Sequence, residues 1–371
     1  MMVGMLAVVL DTNALHSDPW LAGAPGKKLL ELAARGSCVV VFPQVVIDEL
    51  RRQRRESANR AHEQAASGVG DMAKAGVDVT QTAAHLKASF EKIDTDLDAA
   101  FAAVLNRDNV AAAPVPDVPA TEILRRDLTR RRPFMEVEVK QKLASVGLRD
   151  TLIWETVLAV LEQADDYEKV LFVTADKGFL SDDSKSLHQD LLNDLDERDI
   201  DRNRTGSAKN VPNAIAEVEA AIAALVTAAT EALYELVDRD ISLQQVYGGD
   251  YDYPDFVQFH VPAMETCSIT YIDQTTEFEF AEDKAAGTVT ATANALIYIE
   301  GAVFKGDWFT DGGESMTLSG ELNDHYFEAS SEVSVRVVVE LDTSGGSPEV
   351  LSIVLQPGQA STSKIAAIAQ E

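Results

Sequence analysis

Two short apolar runs, each predicted to be a β-strand, end on an aspartate. VVLD ends at Asp11, and KVLFVTAD ends at Asp176. A carboxylate at the end of a buried strand is costly unless it is ion-paired, hydrogen-bonded or bound to a metal. The carboxyl ends of strands in a parallel α/β sheet meet at one edge, where ligands bind. The two aspartates therefore favour a sheet whose edge carries a polar site.

Strand and helix patterns alternate over roughly the first 200 residues. Alternation of this kind is typical of an α/β domain with a mostly parallel sheet. The segments 109–119 and 201–213 are predicted to be a loop and a linker. The predicted strands are 5–11, 37–43 and 169–176, and the predicted helices are 27–36, a long one from 44 to at least 66, 82–106, 121–132, 149–163 and 185–197.

The apolar period changes to two after about residue 246. In 289–300 (VTATANALIYIE) and 331–341 (SEVSVRVVVEL), apolar residues alternate with mostly polar ones. This pattern predicts an antiparallel, sandwich-like all-β domain. We therefore expect three segments: an α/β domain over 1–205, a linker and connecting helix over 206–240, and a β-rich domain over 241–371.

The charge of the chain is distributed unevenly. Its 371 residues, enough for two domains, carry a net charge of −29. Residues 1–150 contain 20 basic and 20 acidic residues, whereas the rest contains 12 basic and 41 acidic residues. The first part can attract a polyanion locally, and the last part should repel one.

The remaining composition indicates a cytoplasmic protein. Cys38 and Cys267 each stand alone in a strand-like run, without Cys or His partners at metal spacing, and are expected to be reduced core residues. No run of about 18 apolar residues occurs, so no membrane span is expected. No basic leader precedes the first apolar run, so secretion is not expected.

Four acids fall at the ends of predicted elements on the same edge of the sheet. Asp11 and Asp176 end strands, Glu49 lies early in the helix after the second strand, and Asp150 begins a helix. Four carboxylates brought together repel one another strongly. A hard divalent cation with oxygen ligands, such as Mg²⁺, removes that conflict and is often shared with substrate phosphates.

Four motifs in this order resemble the PIN domain. They are V-L-D-T-N-A-L, V-V-I-D-E-L, R-D-T-L-I-W-E-T and F-V-T-A-D-K-G-F. The resemblance covers about residues 5–200, with a helical insertion at about 55–130. It implies a PIN-like parallel sheet flanked by helices, and a Mg²⁺ or Mn²⁺ site. The family includes metal-dependent ribonucleases, among them the toxins of bacterial toxin–antitoxin pairs.

The resemblance also implies roles for individual residues. Asn13 and Thr174 match supporting positions beside the acids, and RPF at 132–134 resembles a larger PIN-like subgroup. Many relatives have a second Asp where this chain has Gly178, and Asp182 or Asp183 could substitute for it. The acids that match the catalytic and metal-binding quartet of the family are Asp11, Glu49, Asp150 and Asp176.

Basic residues near the acids are candidates for binding substrate. Arg52 lies one helical turn after Glu49, and Arg149 precedes Asp150, so both could contact phosphates. The arginine runs at 51–55 and 125–132 could also bind phosphates. A solvated, ion-paired helix face would explain these runs equally well. His16 could approach the site but has no partner at metal spacing.

Each acid also has a structural alternative. Asp11 and Asp176 could cap turns, and Asp150 could cap the helix that follows it. Glu49 could be a solvated first-turn acid, with Asp48 as the ligand instead.

The sequence predicts a Mg²⁺- or Mn²⁺-dependent endonuclease that hydrolyses RNA with an activated water, leaving a 5′-phosphate and a 3′-hydroxyl. Single-stranded DNA is an alternative substrate, and a non-catalytic PIN scaffold is an alternative function. A phosphotransferase with an Asp nucleophile would need an acid at position 13, which is Asn, and no Gly-rich phosphate loop with Lys is present. The acidic β-rich domain could bind a protein partner, form a homo-oligomer, or guard the site as a nucleic-acid mimic.

Overall fold

The computed structural model describes residues 6–139, 142–163, 169–183, 185–242, 244–245, 251–252, 256–258, 264–283, 288–309, 316–343 and 347–358. The chain folds into two compact units, one ending at Glu219 and the other beginning at Ala220. The domain limits at residues 205 and 240 remain predictions.

Among the residues that the structure describes, the first unit contains seven strands and most of the helices of the chain. In chain order they are β1 (Leu6–Leu10), α1 (Thr12–Leu15), α2 (Ala24–Ala34), β2 (Val39–Pro43), α3 (Gln44–Lys74), α4 (Thr80–Glu91), α5 (Ile93–Leu105), β3 (Val110–Ala113), α6 (Ala120–Leu128), β4 (Met135–Val139), β5 (Lys142–Val146), α7 (Leu148–Glu162), β6 (Lys169–Val173), α8 (Gln189–Glu197), a short 3₁₀ turn (Arg202–Arg204), β7 (Thr205–Ala208) and the start of α9 (Val211–Tyr234).

Five of these strands form one parallel sheet in the order β3-β2-β1-β6-β7. Every residue of β1 and β2 is buried, which explains their continuous apolar sequences, because a parallel sheet is covered on both faces. The predicted α/β class and parallel sheet are confirmed. β4 and β5 form a separate antiparallel ribbon.

Three secondary-structure predictions were wrong. The predicted loop 109–119 contains β3, and the predicted linker 201–213 contains β7; both strands pair at the edges of the sheet. The predicted helix 82–106 is two helices, α4 and α5, that meet at Lys92. Alanine, glycine and serine give β3 and β7 little intrinsic strand preference, so pairing with a neighbouring strand decides their conformation.

The second unit is built on antiparallel strands, as predicted. A six-stranded sheet has the order β10-β12-β14-β13, with β11 paired to β12 and β15 paired to β14. The elements are β8 (Gln244–Gln245), β9 (Tyr251–Asp252), β10 (Thr266–Gln274), β11 (Glu279–Asp283), β12 (Thr288–Phe304), α10 (Lys305–Asp307), β13 (Thr317–Glu321), β14 (Tyr326–Asp342) and β15 (Glu349–Pro357).

Alternation along the long strands places the core on one face of this sheet. Val289, Ala291 and Ile297 of β12 are buried, whereas Thr290 and Tyr298 are partly exposed. The same period of two holds along β14. The antiparallel prediction succeeded because a sheet with one covered face requires this alternation.

Helix α9 is apolar along much of its length, and part of it lies in a core. By length and composition alone it is the one helix, within the described residues, that could span a membrane. Leu225, Ala229 and Leu233 from its second half pack into the core of the β-rich unit.

Both cysteines are buried and free. Cys38 lies beside β2, and Cys267 lies in β10. Burial raises the pKa of each thiol to about 12, so both are thiols at neutral pH.

A buried ion pair fixes the segment between α6 and β4. The Arg126 guanidinium contacts the Asp194 carboxylate, and both side chains are buried. Arg126 Nε also donates to the carbonyl of Arg132 at 2.8 Å, and Trp154 Nε1 donates to Asp194 Oδ2 at 2.7 Å. Asp194 Oδ1 lies 2.5 Å from a guanidinium nitrogen of Arg131. Arg126 and Arg131 of the arginine run 125–132 are therefore structural.

We expect Asp194→Ala to lower the free energy of unfolding by about 3–5 kcal/mol, because it leaves the Arg126 charge buried without a partner. Urea unfolding followed by tryptophan fluorescence measures the change. Asp196→Ala, in the same helix but exposed and paired with Arg202, is the matched control and should have little effect. Equal losses in the two variants would contradict a structural role for the buried pair.

Candidate active site

The four predicted acids line one cavity in the first unit. The cavity has a volume of about 540 Å³, and its lining includes Asp11, Glu49, Asp150 and Asp176. Asp11 follows β1 and Asp176 follows β6, at the carboxyl edge of the parallel sheet. Glu49 lies in the second turn of α3, and Asp150 lies in the first turn of α7. The elements that the sequence placed at this edge do meet there.

Asp11 is almost fully buried and hydrogen-bonded on both oxygens. Oδ1 accepts from the backbone N–H of Thr12 at 2.6 Å, so Asp11 caps the short helix α1. Oδ2 accepts from Asn13 Nδ2 at 2.6 Å and from Thr174 Oγ1 at 2.7 Å. The capping alternative therefore holds, and the same carboxylate also lines the cavity.

The pKa of Asp11 is raised to about 7, chiefly by burial and to a smaller extent by repulsion from Asp150 and Asp176. The hydrogen bonds from Thr174 and Thr12 lower this pKa and so act in the opposite direction. These bonds keep a nearly inaccessible carboxyl group partly ionised near neutral pH.

Asn13 and Thr174 join the ends of β1 and β6. Asn13 Oδ1 accepts from the backbone N–H of Ala175 at 3.0 Å, and Thr174 Oγ1 accepts from that of Asp176 at 3.1 Å. Both also hold Asp11, as their predicted supporting roles require. Asp11 and Asp176 are thereby positioned by the same pair of side chains.

The turn after Asp176 differs from the pattern of many relatives. Asp176 Oδ1 accepts from the backbone N–H of Gly178 at 2.7 Å, and a Cβ at Gly178 would lie only 3.2 Å from that oxygen. Asp182 is exposed and does not line the cavity. Asp183 is held instead by Ser181 and the backbone of Lys185. Neither of these acids lines the cavity.

Asp150 does not cap α7, because the N-cap is Gly147. The pKa of Asp150 is raised to about 6 by burial first and then by repulsion from Asp176 and Glu49, while Arg149 acts to lower it. Gly147 has φ +133°, and a Cβ there would lie 2.7 Å from the Phe134 Cα. Glycine therefore lets the segment before β4 approach the start of α7.

Glu49, and not Asp48, points to the cavity. Its Oε2 accepts from Thr12 Oγ1 at 3.0 Å, and its Oε1 accepts from Gln53 Nε2 at 3.3 Å and contacts the Arg149 guanidinium. Asp48 is exposed and bonded to Gln44. The alternative that assigned the ligand to Asp48 is not supported by this geometry.

The two candidate arginines differ in position. Arg149 lines the cavity, as does His16. Arg52 is not among the lining residues: it pairs with Glu56 at 2.6 Å and lies 3.8 Å from Glu49. The structure thus brings Arg149 to the acids and leaves Arg52 outside the cavity.

Several residues that line the cavity or bind the acids were not predicted from the sequence. Thr12 and Gln53 both bind Glu49, and Gln53 lies four residues after it, a spacing that places the two on one helix face. Phe134, Val146 and Leu148 form an apolar part of the lining. Phe134 belongs to the RPF motif, whereas Val146, at the end of β5, and Leu148, at the start of α7, belong to no motif that was connected to the acids.

The donor set suits a hard cation, but the side chains are not arranged as a finished metal centre. All four acids offer oxygen ligands, and their mutual repulsion favours a counter-charge. In the part of the chain that the structure describes, no group of three or more His, Cys, Asp or Glu side chains is arranged to hold a metal ion. Asp11 and Glu49 are engaged by protein donors on both oxygens.

Comparison with protein families agrees with this geometry. Residues 8–179, a little under half of the chain, match the family model described as PIN domain. Comparison with curated proteins gave no significant match, and comparison with solved structures gave none either. PIN domains are usually nucleases that act on nucleic acid with divalent metals. Residues 8–179 of this chain are therefore similar to the PIN domain, and the parallel sheet of the first unit fits a PIN fold.

Proposed function

We propose that this protein is a Mg²⁺- or Mn²⁺-dependent endonuclease that hydrolyses RNA. The observation that carries the proposal is the convergence of Asp11, Glu49, Asp150 and Asp176 on one cavity at the carboxyl edge of a PIN-domain sheet. Single-stranded DNA remains the alternative substrate. A cytoplasmic location is part of the same proposal.

The four acids supply the ligands in this proposal. A bound divalent cation would offset the charge of the carboxylates and lower the pKa of a water molecule, so that the water loses a proton and attacks a phosphodiester as hydroxide. Asn13 and Thr174 orient Asp11, and Thr12 and Gln53 orient Glu49. Attack in line with the bond from phosphorus to the 3′-oxygen breaks that bond; the 3′-oxygen takes up a proton from water, which leaves a 5′-phosphate and a 3′-hydroxyl.

The residues around the acids would bind the substrate. Arg149 lies at the cavity and can meet a phosphate, while Arg52, one turn beyond Glu49, can contact the backbone further along. The balanced charge of residues 1–150 permits local contact with a polyanion, which the rest of the chain would repel.

A non-catalytic PIN scaffold is the second candidate function. It is favoured by the lack, among the described residues, of three acids already arranged around one ion position. In either case the acidic β-rich unit would bind a protein partner or a second copy of the chain, or guard the cavity.

Cleavage assays test the enzyme directly. We expect the wild type to cut RNA with Mg²⁺ or Mn²⁺ and not with EDTA, and Asp176→Asn to reduce the rate at least about 100-fold, because it removes a charged ligand of the site. Asp182→Asn makes the same charge change outside the cavity and should keep the wild-type rate. Cleavage that survives EDTA, or products with a 2′,3′-cyclic phosphate, would contradict the mechanism.

Thermal unfolding in EDTA tests the cost of keeping Asp150 ionised, which arises first from burial and then from repulsion by Asp176 and Glu49. Because the pKa of Asp150 is raised to about 6, its contribution to stability is complete below about pH 4 and is lost as the pH rises through 6. We therefore expect Asp150→Asn to be more stable than the wild type at pH 8, by about 1–2 kcal/mol after screening, and the difference to shrink toward pH 5.

Added Mn²⁺ should make the wild type more stable than Asp150→Asn, because only the wild type retains all four carboxylates as ligands for the cation. Asp182→Asn is again the control and should follow the wild type at every pH. An Asp150→Asn variant that is less stable than the wild type at pH 8 in EDTA would show that the carboxylate is stabilised by its surroundings.

A further inference from the structure

An ion pair crosses the candidate active site. The guanidinium of Arg149, at the start of α7, contacts Oε1 of Glu49, in the second turn of α3. The Glu49 side chain is 14% exposed and that of Arg149 is 56% exposed. The pair therefore has one partner inside the cavity and one at its rim.

The pair occupies one of the two oxygens that Glu49 could offer to a cation. Oε2 of Glu49 already accepts from Thr12 Oγ1, and Oε1 receives both Gln53 and Arg149. Thr12 and Gln53 are neutral donors, which can orient a carboxylate without balancing its charge. Glu49 can give Oε1 to a cation only if Arg149 moves away.

Arg149 is placed to move away at small cost. The Arg149 side chain lies at the rim of the cavity and can turn toward solvent, and a cation that takes its place offsets the charge left on Glu49. Because Arg149 directly precedes Asp150, it remains beside the acids after it turns. In that position two N–H groups of its guanidinium can donate to the oxygens of one phosphate group.

We propose that Arg149 is an exchangeable counter-ion of this site. It pairs with Glu49 when no divalent cation is bound, and it turns to a phosphate of the nucleic acid when a cation takes Glu49. The inference rests on the proposed function. Cation and nucleic acid then favour each other's binding, because each releases one end of the same ion pair.

Arg52 provides a matched control. It carries the same charge, lies 3.8 Å from the same Glu49 oxygen and has its own partner in Glu56 at 2.6 Å. Removing either arginine removes one positive charge near Glu49. Only the loss of Arg149 removes the contact that competes with a cation.

Calorimetric titration of Mn²⁺ into the full chain tests the exchange. We expect Arg149→Gln to bind Mn²⁺ about three- to tenfold more tightly than the wild type, because the competing pair is gone. Arg52→Gln should change the affinity less than about twofold. Equal changes in the two variants, or weaker Mn²⁺ binding by Arg149→Gln, would overturn the proposal.

A second measurement follows the arginine rather than the metal. With a cleavage-resistant single-stranded 2′-O-methyl phosphorothioate oligonucleotide, Arg149→Gln should weaken binding in Mn²⁺ but leave it unchanged in EDTA. An arginine that contacts phosphate permanently would weaken binding in both conditions, and that result would overturn the exchange.

The calorimetric titrations distinguish failure of the proposed function from failure of the exchange alone. If the wild type shows no saturable Mn²⁺ binding, the metal-dependent function and the exchange both fail. If the wild type binds Mn²⁺ and the two arginine variants behave alike, only the exchange fails. Circular dichroism and melting curves of both variants check that the exposed substitutions leave the fold intact.

Discussion

The structure of the site depends on one buried carboxylate, Asp11. It ends the central strand of the parallel sheet, is 3% exposed, and is held by the Thr12 backbone, Asn13 and Thr174. Without these bonds, burial would keep the group neutral. The same side chains tie the turn that carries Asp176 to the end of β1, so stabilising one acid positions the other.

The fold brings the remaining acids to this carboxylate from distant parts of the chain. Glu49 arrives on α3 and Asp150 on α7, and the raised pKa of Asp150 reflects burial together with the charges of Asp176 and Glu49. Functional sites often concentrate groups that destabilise one another. Here Arg149 offsets part of the repulsion between the acids. In the proposed exchange a cation takes over this role, and Arg149 then contacts a phosphate.

The sequence predicted what depends on local pattern and missed what depends on tertiary pairing. Strand ends carrying Asp11 and Asp176 were recognisable because apolar runs stop abruptly at charges. The edge strand Val110–Ala113 was not, since alanines become a strand only beside β2. Arg126 resembled part of a phosphate-binding run, yet its buried partner Asp194 lies 68 residues away. No spacing rule indicates such contacts.

The central claim is that the four acids form one site for a divalent cation. An anomalous difference map from a Mn²⁺-soaked crystal of the full chain tests it most directly. The account predicts a peak in the cavity, about 2 Å from carboxylate oxygens of at least two of Asp11, Glu49, Asp150 and Asp176. A cavity without a peak at saturating Mn²⁺, with these four side chains ordered, would contradict it.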